Sequence, residues 1–127
     1  MRIVPNSKAD DEACKNLALA KDDDIKPHIY ELLECLQDLN WPIAAPVSER
    51  LSVLGVELVE PILDILNSDD DPWKYWIVSH FLHGIKPAIY GRLRFKLNQM
   101  KKHPTKGEVE EEVNDAVCEL LSSRRNS

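Results

Sequence analysis

The sequence has no apolar run near the roughly 18 to 20 residues that span a bilayer, so we expect no membrane helix. Its four glycines are scattered, which excludes a glycine-rich phosphate-binding loop. Its three cysteines are far apart and odd in number, which is typical of reduced thiols in a cytosolic protein. The N-terminal residues turn acidic before an apolar signal core could form. From these absences we expect a cytoplasmic protein without a secretory signal.

Length and composition indicate one folded domain. The chain has 127 residues, of which 43% are hydrophobic and 30% are charged, a balance typical of proteins with a buried core and unlike that of disordered tails. We expect a single helical domain over residues 1–127, with residues 1–8 and 123–127 as frayed ends.

Helical periodicity dominates the sequence, and strand patterns are nearly absent. Asp71 followed by Pro72 predicts a helix start, because an aspartate cap and a proline in the first turn both suit that position. Thr105 and Glu108 predict a capping box for the last helix. The predicted helices are 25–36, 43–54, 59–66, 73–82, 86–100 and 106–122, with a weakly periodic segment at 9–19. The fold class is therefore all-α, with six or seven helices.

Two of these helices carry specific expectations about burial. The helix at 73–82 is apolar on nearly all sides, so we expect it at the centre of the domain with Trp73, Trp76 and His80 turned inward. In the last helix the apolar stripe predicts that Val109 is buried and that Glu108 lies mostly in water.

A proline-containing segment recurs along the chain. Residues 26–33 (KPHIYELL) match residues 86–93 (KPAIYGRL), and residues 60–66 are a looser third copy. Pro27, Pro61 and Pro87 are 34 and 26 residues apart, a spacing typical of helix-pair repeats that stack to complete a core. We predict stacked antiparallel helix pairs in a HEAT-like α-α superhelix; an irregular helical bundle is the alternative.

Three stretches of the chain carry a family resemblance. They are WPIAAPV at 41–47, DDPWKYW at 70–76 and PTKGE at 104–108. Together they resemble the family known as domain of unknown function 5071, which consists of short, mostly bacterial, all-helical proteins similar to HEAT repeats. The resemblance implies a helical-repeat fold and a bacterial, cytoplasmic setting. It implies no reaction and no functional residues.

Histidines and clustered carboxylates are the residues that could carry catalysis or hold a metal. His80 and His83 could share one helix face, but no Cys, Asp or Glu at a suitable spacing completes a ligand set. The aspartate triplets at 22–24 and 69–71 precede helices, where capping and the helix dipole account for them. We therefore expect no enzyme, no metal and no cofactor; a metal enzyme built on the two histidines is the least favoured function.

Charge is strongly segregated along the chain. Residues 72–107 contain eight basic residues and no Asp or Glu, whereas residues 1–71 carry a net charge of −10 and residues 108–127 one of −4. Two interpretations compete. Lysines of the helix at 86–100 could pair with glutamates of the last helix, or the basic segment could be a surface for an anion or a partner.

On a helical projection, the buried stripe of the helix at 86–100 centres on Leu93, with basic residues on both edges and an aromatic residue pointing away. The candidate partner-binding residues are Arg92 and Lys96 on one edge, Arg94 and Lys101 on the other, and Phe95 and Lys102 on the outside. Phe95 among cations could anchor a contact. The alternative is that Phe95 packs under the connection at 100–107, and we favour this alternative slightly.

The function we expect is non-catalytic protein binding through a helical-repeat surface, as an adaptor or an immunity- or antitoxin-like protein. The acidic segment 1–71 would attract a cationic protein such as a nuclease toxin. The alternative is binding of an anion or a nucleic acid through residues 86–106. Nucleic acid is the weaker partner, because interleaved stacking aromatics are few. We expect no membrane partner.

Overall fold

The fold is all-α, as predicted. A computed structural model describes residues 2–124, which form nine α-helices and no strand. The helices are α1 (Asp11–Leu19), α2 (Asp22–Ile25), α3 (Ile29–Leu33), α4 (Ala44–Ser52), α5 (Val59–Leu66), α6 (Asp71–Ser79), α7 (Pro87–Lys102), α8 (Lys106–Glu110) and α9 (Val113–Ser123). Short 3₁₀ turns lie at Lys26–His28, Glu34–Leu36, Val56–Leu58 and Phe81–His83. None of the helices within 2–124 is long and apolar enough to cross a membrane.

The number of helices exceeds the predicted six or seven because two predicted helices are interrupted. Residues 25–36 comprise the last residue of α2, the whole of α3 and the 3₁₀ turns on either side of α3. The predicted helix 106–122 breaks between α8 and α9. At this break Glu112 has a left-handed backbone with φ of 63°, which an α-helix cannot include. The break changes which face of α8 points inward. Val109 is therefore 51% exposed and Glu108 is buried, the reverse of the prediction.

α6 lies at the centre of the packing, as predicted, and contacts α5, α9 and the turn at Phe81–His83. Trp73 is buried, and its indole N–H donates a 3.0 Å hydrogen bond to the carbonyl of Leu33. Tyr30 packs edge-on against the same indole, with ring centroids 5.8 Å apart. Trp73 thus joins the N-terminal helices to the C-terminal ones.

The ends of α6 differ from the prediction by a few residues. Asp70, rather than Asp71, caps the helix by accepting a 3.1 Å hydrogen bond from the backbone N–H of Trp73. The helix ends at Ser79, so His80 is its exposed C-cap and not an inward residue. Trp76 is only half-buried, which corrects its assignment to the core.

The matching prolines occupy different local structures. Pro27 lies in a 3₁₀ turn, Pro61 is the third residue of α5, and Pro87 is the first residue of α7. The isoleucines two residues beyond the first and last of them, Ile29 and Ile89, are both buried. The segments therefore share an inward apolar position but not a helix start, and the HEAT-like superhelix stays a prediction.

The N-terminal residues within the described part are attached rather than frayed. Arg2 donates two hydrogen bonds to the Asp10 carboxylate, at 3.1 and 2.6 Å, and Ile3 joins the hydrophobic core. These bonds, together with those from the backbone N–H groups of Asn6 and Ala13, lower the pKa of Asp10 to about 2. At the other end, Ser123 closes α9, and residues 125–127 lie outside the described part.

A buried ion cluster connects α6 with α8. The ammonium group of Lys74 lies 2.7 Å from the Asp71 carboxylate and 3.0 Å from that of Glu108. Glu108 also completes the predicted capping box, because its other oxygen accepts a 2.8 Å hydrogen bond from the backbone N–H of Thr105. Gly107 permits this approach, since a Cβ there would overlap the Asp71 carboxylate.

Two glycines in helices should therefore respond oppositely to alanine. Gly91 in α7 has no atom within 4 Å of an added Cβ, so Gly91→Ala should raise the free energy of unfolding by about 0.5–1 kcal/mol. Gly107→Ala should lower it by about 1–2 kcal/mol, because the methyl group displaces Asp71 from Lys74. Urea unfolding monitored by circular dichroism measures both. In an Asp71→Ala background the loss at Gly107 should disappear; a loss that persists there would contradict this explanation.

Candidate functional site

The predicted binding residues all lie on α7, the longest helix among residues 2–124, at 16 residues. Pro87 occupies the first position, where a missing N–H costs nothing, and Lys101 and Lys102 lie in the last turn, where the helix dipole favours cations. One stripe of α7 is buried against neighbouring helices, which include α5 and α9. Its residues are Ile89, Tyr90, Leu93, Leu97 and Met100.

The cations of α7 have no acidic partners within residues 2–124. α7 packs on α9, yet none of its basic side chains forms an ion pair with a glutamate there or elsewhere in that range. Lys96 donates a 3.5 Å hydrogen bond to the side-chain oxygen of Gln99. The interpretation in which lysines of α7 pair with glutamates of the last helix is therefore wrong for this part of the chain. The positive charge faces solvent.

Phe95 lies on the outside of α7, opposite the buried stripe, and is 87% exposed. The expectation that it packs under the 100–107 connection is wrong, because the connection leaves from the far end of the helix and does not fold back over this side. Arg92 and Lys102 are exposed on the same side, and Gly91 lies one turn before Phe95. We call Gly91, Arg92, Phe95 and Lys102 the contact face.

Arg94 and Lys101 lie on another edge of α7, where they line a groove between α7 and α9. The groove has a volume of about 290 Å³. The residues that line this α7–α9 groove are Pro87, Tyr90, Arg94, Asn98, Lys101, Leu121 and Arg124. Lys96 belongs to neither place; it borders a smaller cavity of about 250 Å³ beside the ion cluster. The structure thus separates the six predicted residues into three locations.

Arg124 is a member of this groove that the sequence did not predict. Its guanidinium donates hydrogen bonds of 3.0 and 2.7 Å to the backbone carbonyls of Leu82 and Ile85. It also lies over the ring of Tyr90, 4.7 Å from the centroid. Its position at the end of the chain predicted a frayed residue. The sequence pattern that could have predicted its role is an arginine just after an apolar helix, because basic side chains at that position often donate hydrogen bonds to exposed backbone carbonyls.

The histidines and cysteines are the other side chains that could carry chemistry. His80 and His83 are both exposed, and residues 2–124 contain no group of three or more His, Cys, Asp or Glu that could hold a metal ion. His80 stacks near Trp76, with centroids 5.8 Å apart, beside a groove of about 540 Å³ next to α4. Burial raises the pKa of the Cys35 thiol to about 11 and also raises that of Cys14. Neither thiol is therefore ionised near neutral pH.

Lys74 belongs to the basic segment by sequence but not to its surface, since only 3% of its side chain is exposed. Burial alone would lower its pKa, but hydrogen bonds to Asp71 and Glu108 outweigh burial and raise it. Lys74 is therefore charged at neutral pH. Its charge is compensated inside the protein, so the exposed cations of the basic segment are those of α7 together with Lys86 and Lys106.

A comparison with protein families supports the resemblance seen in the sequence. The family model described as domain of unknown function (DUF5071) matches residues 3–121, which is nearly the whole chain. No curated protein matches the sequence significantly. Two of the three segments that carried the resemblance, 70–76 and 104–108, meet in space at the Lys74 ion cluster.

Loss of the Lys74 charge should be costly. Lys74→Met leaves two carboxylates without a cation inside the protein, and we expect it to lower the free energy of unfolding by about 3–5 kcal/mol. Lys106→Met is the matched control, because the Lys106 side chain is 91% exposed and its substitution should stay within about 0.5 kcal/mol of the parent. Urea unfolding at neutral pH measures both. Equal effects of the two substitutions would contradict a structural role for the cluster.

Proposed function

The chain belongs to the family described as domain of unknown function (DUF5071), and we propose that it is a non-catalytic protein-binding module that binds an acidic protein through the contact face of α7. The observation that carries this proposal is the exposure of Phe95, at 87%, among cations that have no acidic partner within residues 2–124. An exposed aromatic side chain with cations beside it matches the residue types of protein-binding hot spots, which are rich in aromatic residues and Arg.

The shape of the contact face suits a protein rather than a nucleic acid. Gly91 and Ala88 are exposed beside Phe95. Because neither has a bulky side chain, another backbone can approach the helix closely there. Proteins that bind single strands stack successive bases on several aromatic side chains. The contact face has one aromatic residue, which favours an apolar pocket on a protein surface as its counterpart.

The charge of the contact face predicts the charge of its partner. Arg92 and Lys102 flank Phe95, so an acidic rim around an apolar pocket would complement the face and speed association at low salt. The cationic partner expected from the acidic segment stays a prediction, because that segment keeps its net charge of −10 although several of its acids pair with cations of the same segment. These pairs are Asp10 with Arg2, Asp11 with Lys15, Asp22 with Arg50 and Asp23 with Lys26.

An adaptor is the role that this face supports best. The immunity- or antitoxin-like role depends on a cationic toxin and stays a prediction from the sequence. We also infer, from the family resemblance alone, that the protein works in a bacterial cytoplasm and that its helices stack in a HEAT-like manner. These parts of the proposal rest on the segments 41–47, 70–76 and 104–108.

Replacement of Phe95 tests the proposal. The immobilised full chain should retain, from native lysate treated with nuclease, a protein that is released at high salt. Phe95→Ala should weaken the affinity for that purified protein by about 10- to 30-fold, as expected for a hot-spot aromatic. Its unfolding curve should not change, because the side chain is 87% exposed. Isothermal titration calorimetry measures the affinity.

Leu19→Ala is the matched control, because Leu19 is an apolar residue of α1 with 82% exposure, far along the chain from α7. It should bind like the parent. Equal losses for Leu19→Ala and Phe95→Ala would contradict the contact face. Loss of all bound material on nuclease treatment would also overturn the proposal, in favour of nucleic acid.

A further inference from the structure

We infer that the α7–α9 groove is a second and separate binding site, which takes a small organic or inorganic oxyanion with at least two negative charges. The groove is lined by three cationic side chains, those of Arg94, Lys101 and Arg124. Among residues 2–124, none that lines it has a carboxylate side chain. An oxyanion is the complementary ligand, because guanidinium groups bind phosphate and carboxylate oxygens in pairs.

The sequence of α7 places its part of the groove on one line. Arg94, Asn98 and Lys101 are spaced by four and three residues, which puts them on one edge of the helix. Arg94 and Lys101 are about 10 Å apart along the axis, so their long side chains can converge on an anion between them. Neither has an acidic partner within residues 2–124, so a bound anion would relieve their mutual repulsion.

The wall of the groove that faces Arg94 and Lys101 is already ordered without a ligand. Two hydrogen bonds to backbone carbonyls and the ring of Tyr90 fix the guanidinium of Arg124 in place. Tyr90 itself is buried, with 8% exposure. A cation that is already held in position loses little conformational entropy when an anion binds.

The size of the groove limits the ligand. Its volume of about 290 Å³ lies at the lower end of the roughly 300–1,000 Å³ that is typical of small-molecule sites. This suits a diphosphate, a small phosphorylated metabolite or a multiply carboxylated acid rather than a macromolecule. All of these ligands share oxyanion chemistry, and the test below distinguishes phosphate from carboxylate.

The groove is distinct from the contact face, so this inference does not depend on the proposed function. The two sites occupy different sides of α7, and each contains one arginine and one lysine of that helix. Arg94 and Lys101 belong to the groove; Arg92 and Lys102 belong to the contact face. The helix therefore offers two double variants with the same composition and the same change in net charge.

Titration of the full chain with inorganic pyrophosphate tests the groove. Isothermal titration calorimetry at constant ionic strength should show one site per chain. Arg94→Gln with Lys101→Gln should weaken binding by about tenfold or more, because both charge-assisted contacts are lost. Arg92→Gln with Lys102→Gln should bind pyrophosphate like the parent. Arg124 is kept, because its substitution would also remove the bonds to Leu82 and Ile85.

Citrate titrated in the same way separates the two chemistries. Tighter binding of pyrophosphate assigns the groove to phosphate ligands, and tighter binding of citrate assigns it to carboxylates; both support an oxyanion site. Equal losses in the two double variants would overturn the inference, because they would show binding to overall positive charge. Absence of binding of both anions to the parent chain would overturn it as well. Thermal unfolding of the variants without ligand should match the parent, since all four residues are exposed.

Discussion

The buried ammonium group of Lys74 constrains the C-terminal half of the molecule. A charge removed from water costs several kcal/mol unless partners compensate it, and Asp71 and Glu108 both do so. This requires α8 to lie against α6 at Gly107, where no side chain intervenes. α8 in turn leads into α9, and α9 packs on both α6 and α7. The ion cluster of Lys74 therefore helps to position the groove and the contact face of α7, although its residues belong to neither.

The same cluster explains why the basic segment stays positive at its surface. Asp71 is the last acid before the segment 72–107, and Glu108 is the first acid after it. Both turn inward to Lys74, so the acids nearest in sequence do not neutralise the cations of α7. Like charges one turn apart, such as Arg92 and Lys96, repel by a few tenths of a kcal/mol. Within residues 2–124 the cations of α7 form no ion pair that offsets this repulsion, so they add nothing to the stability of the helix, which fits the proposed binding role.

Most of the local structure was predictable from the sequence, while several burial assignments were not. The helix class, the helix at 59–66 and the capping box of Thr105 and Glu108 follow from periodicity and capping rules, which depend on neighbours in the chain. Glu108 and Val109 were assigned to the wrong environments because the projection continued one straight helix through Glu112. The burial of Lys74 was missed because one of its two partners, Glu108, lies 34 residues away, beyond any local pattern.

The two proposed binding sites of α7 also depend partly on local sequence and partly on residues distant in the chain. Periodicity alone separates Arg94 and Lys101 from Arg92 and Lys102, because these positions lie on different sides of one regular helix. Periodicity cannot show which side chains from other helices lie beside each edge of α7. Arg124 follows α9 as its C-cap and meets Tyr90 only through the packing of α9 on α7, so the groove exists only in the folded chain. The buried stripe holds α7 in the fold. Because the residues on its other sides are not needed for packing, they are available for binding.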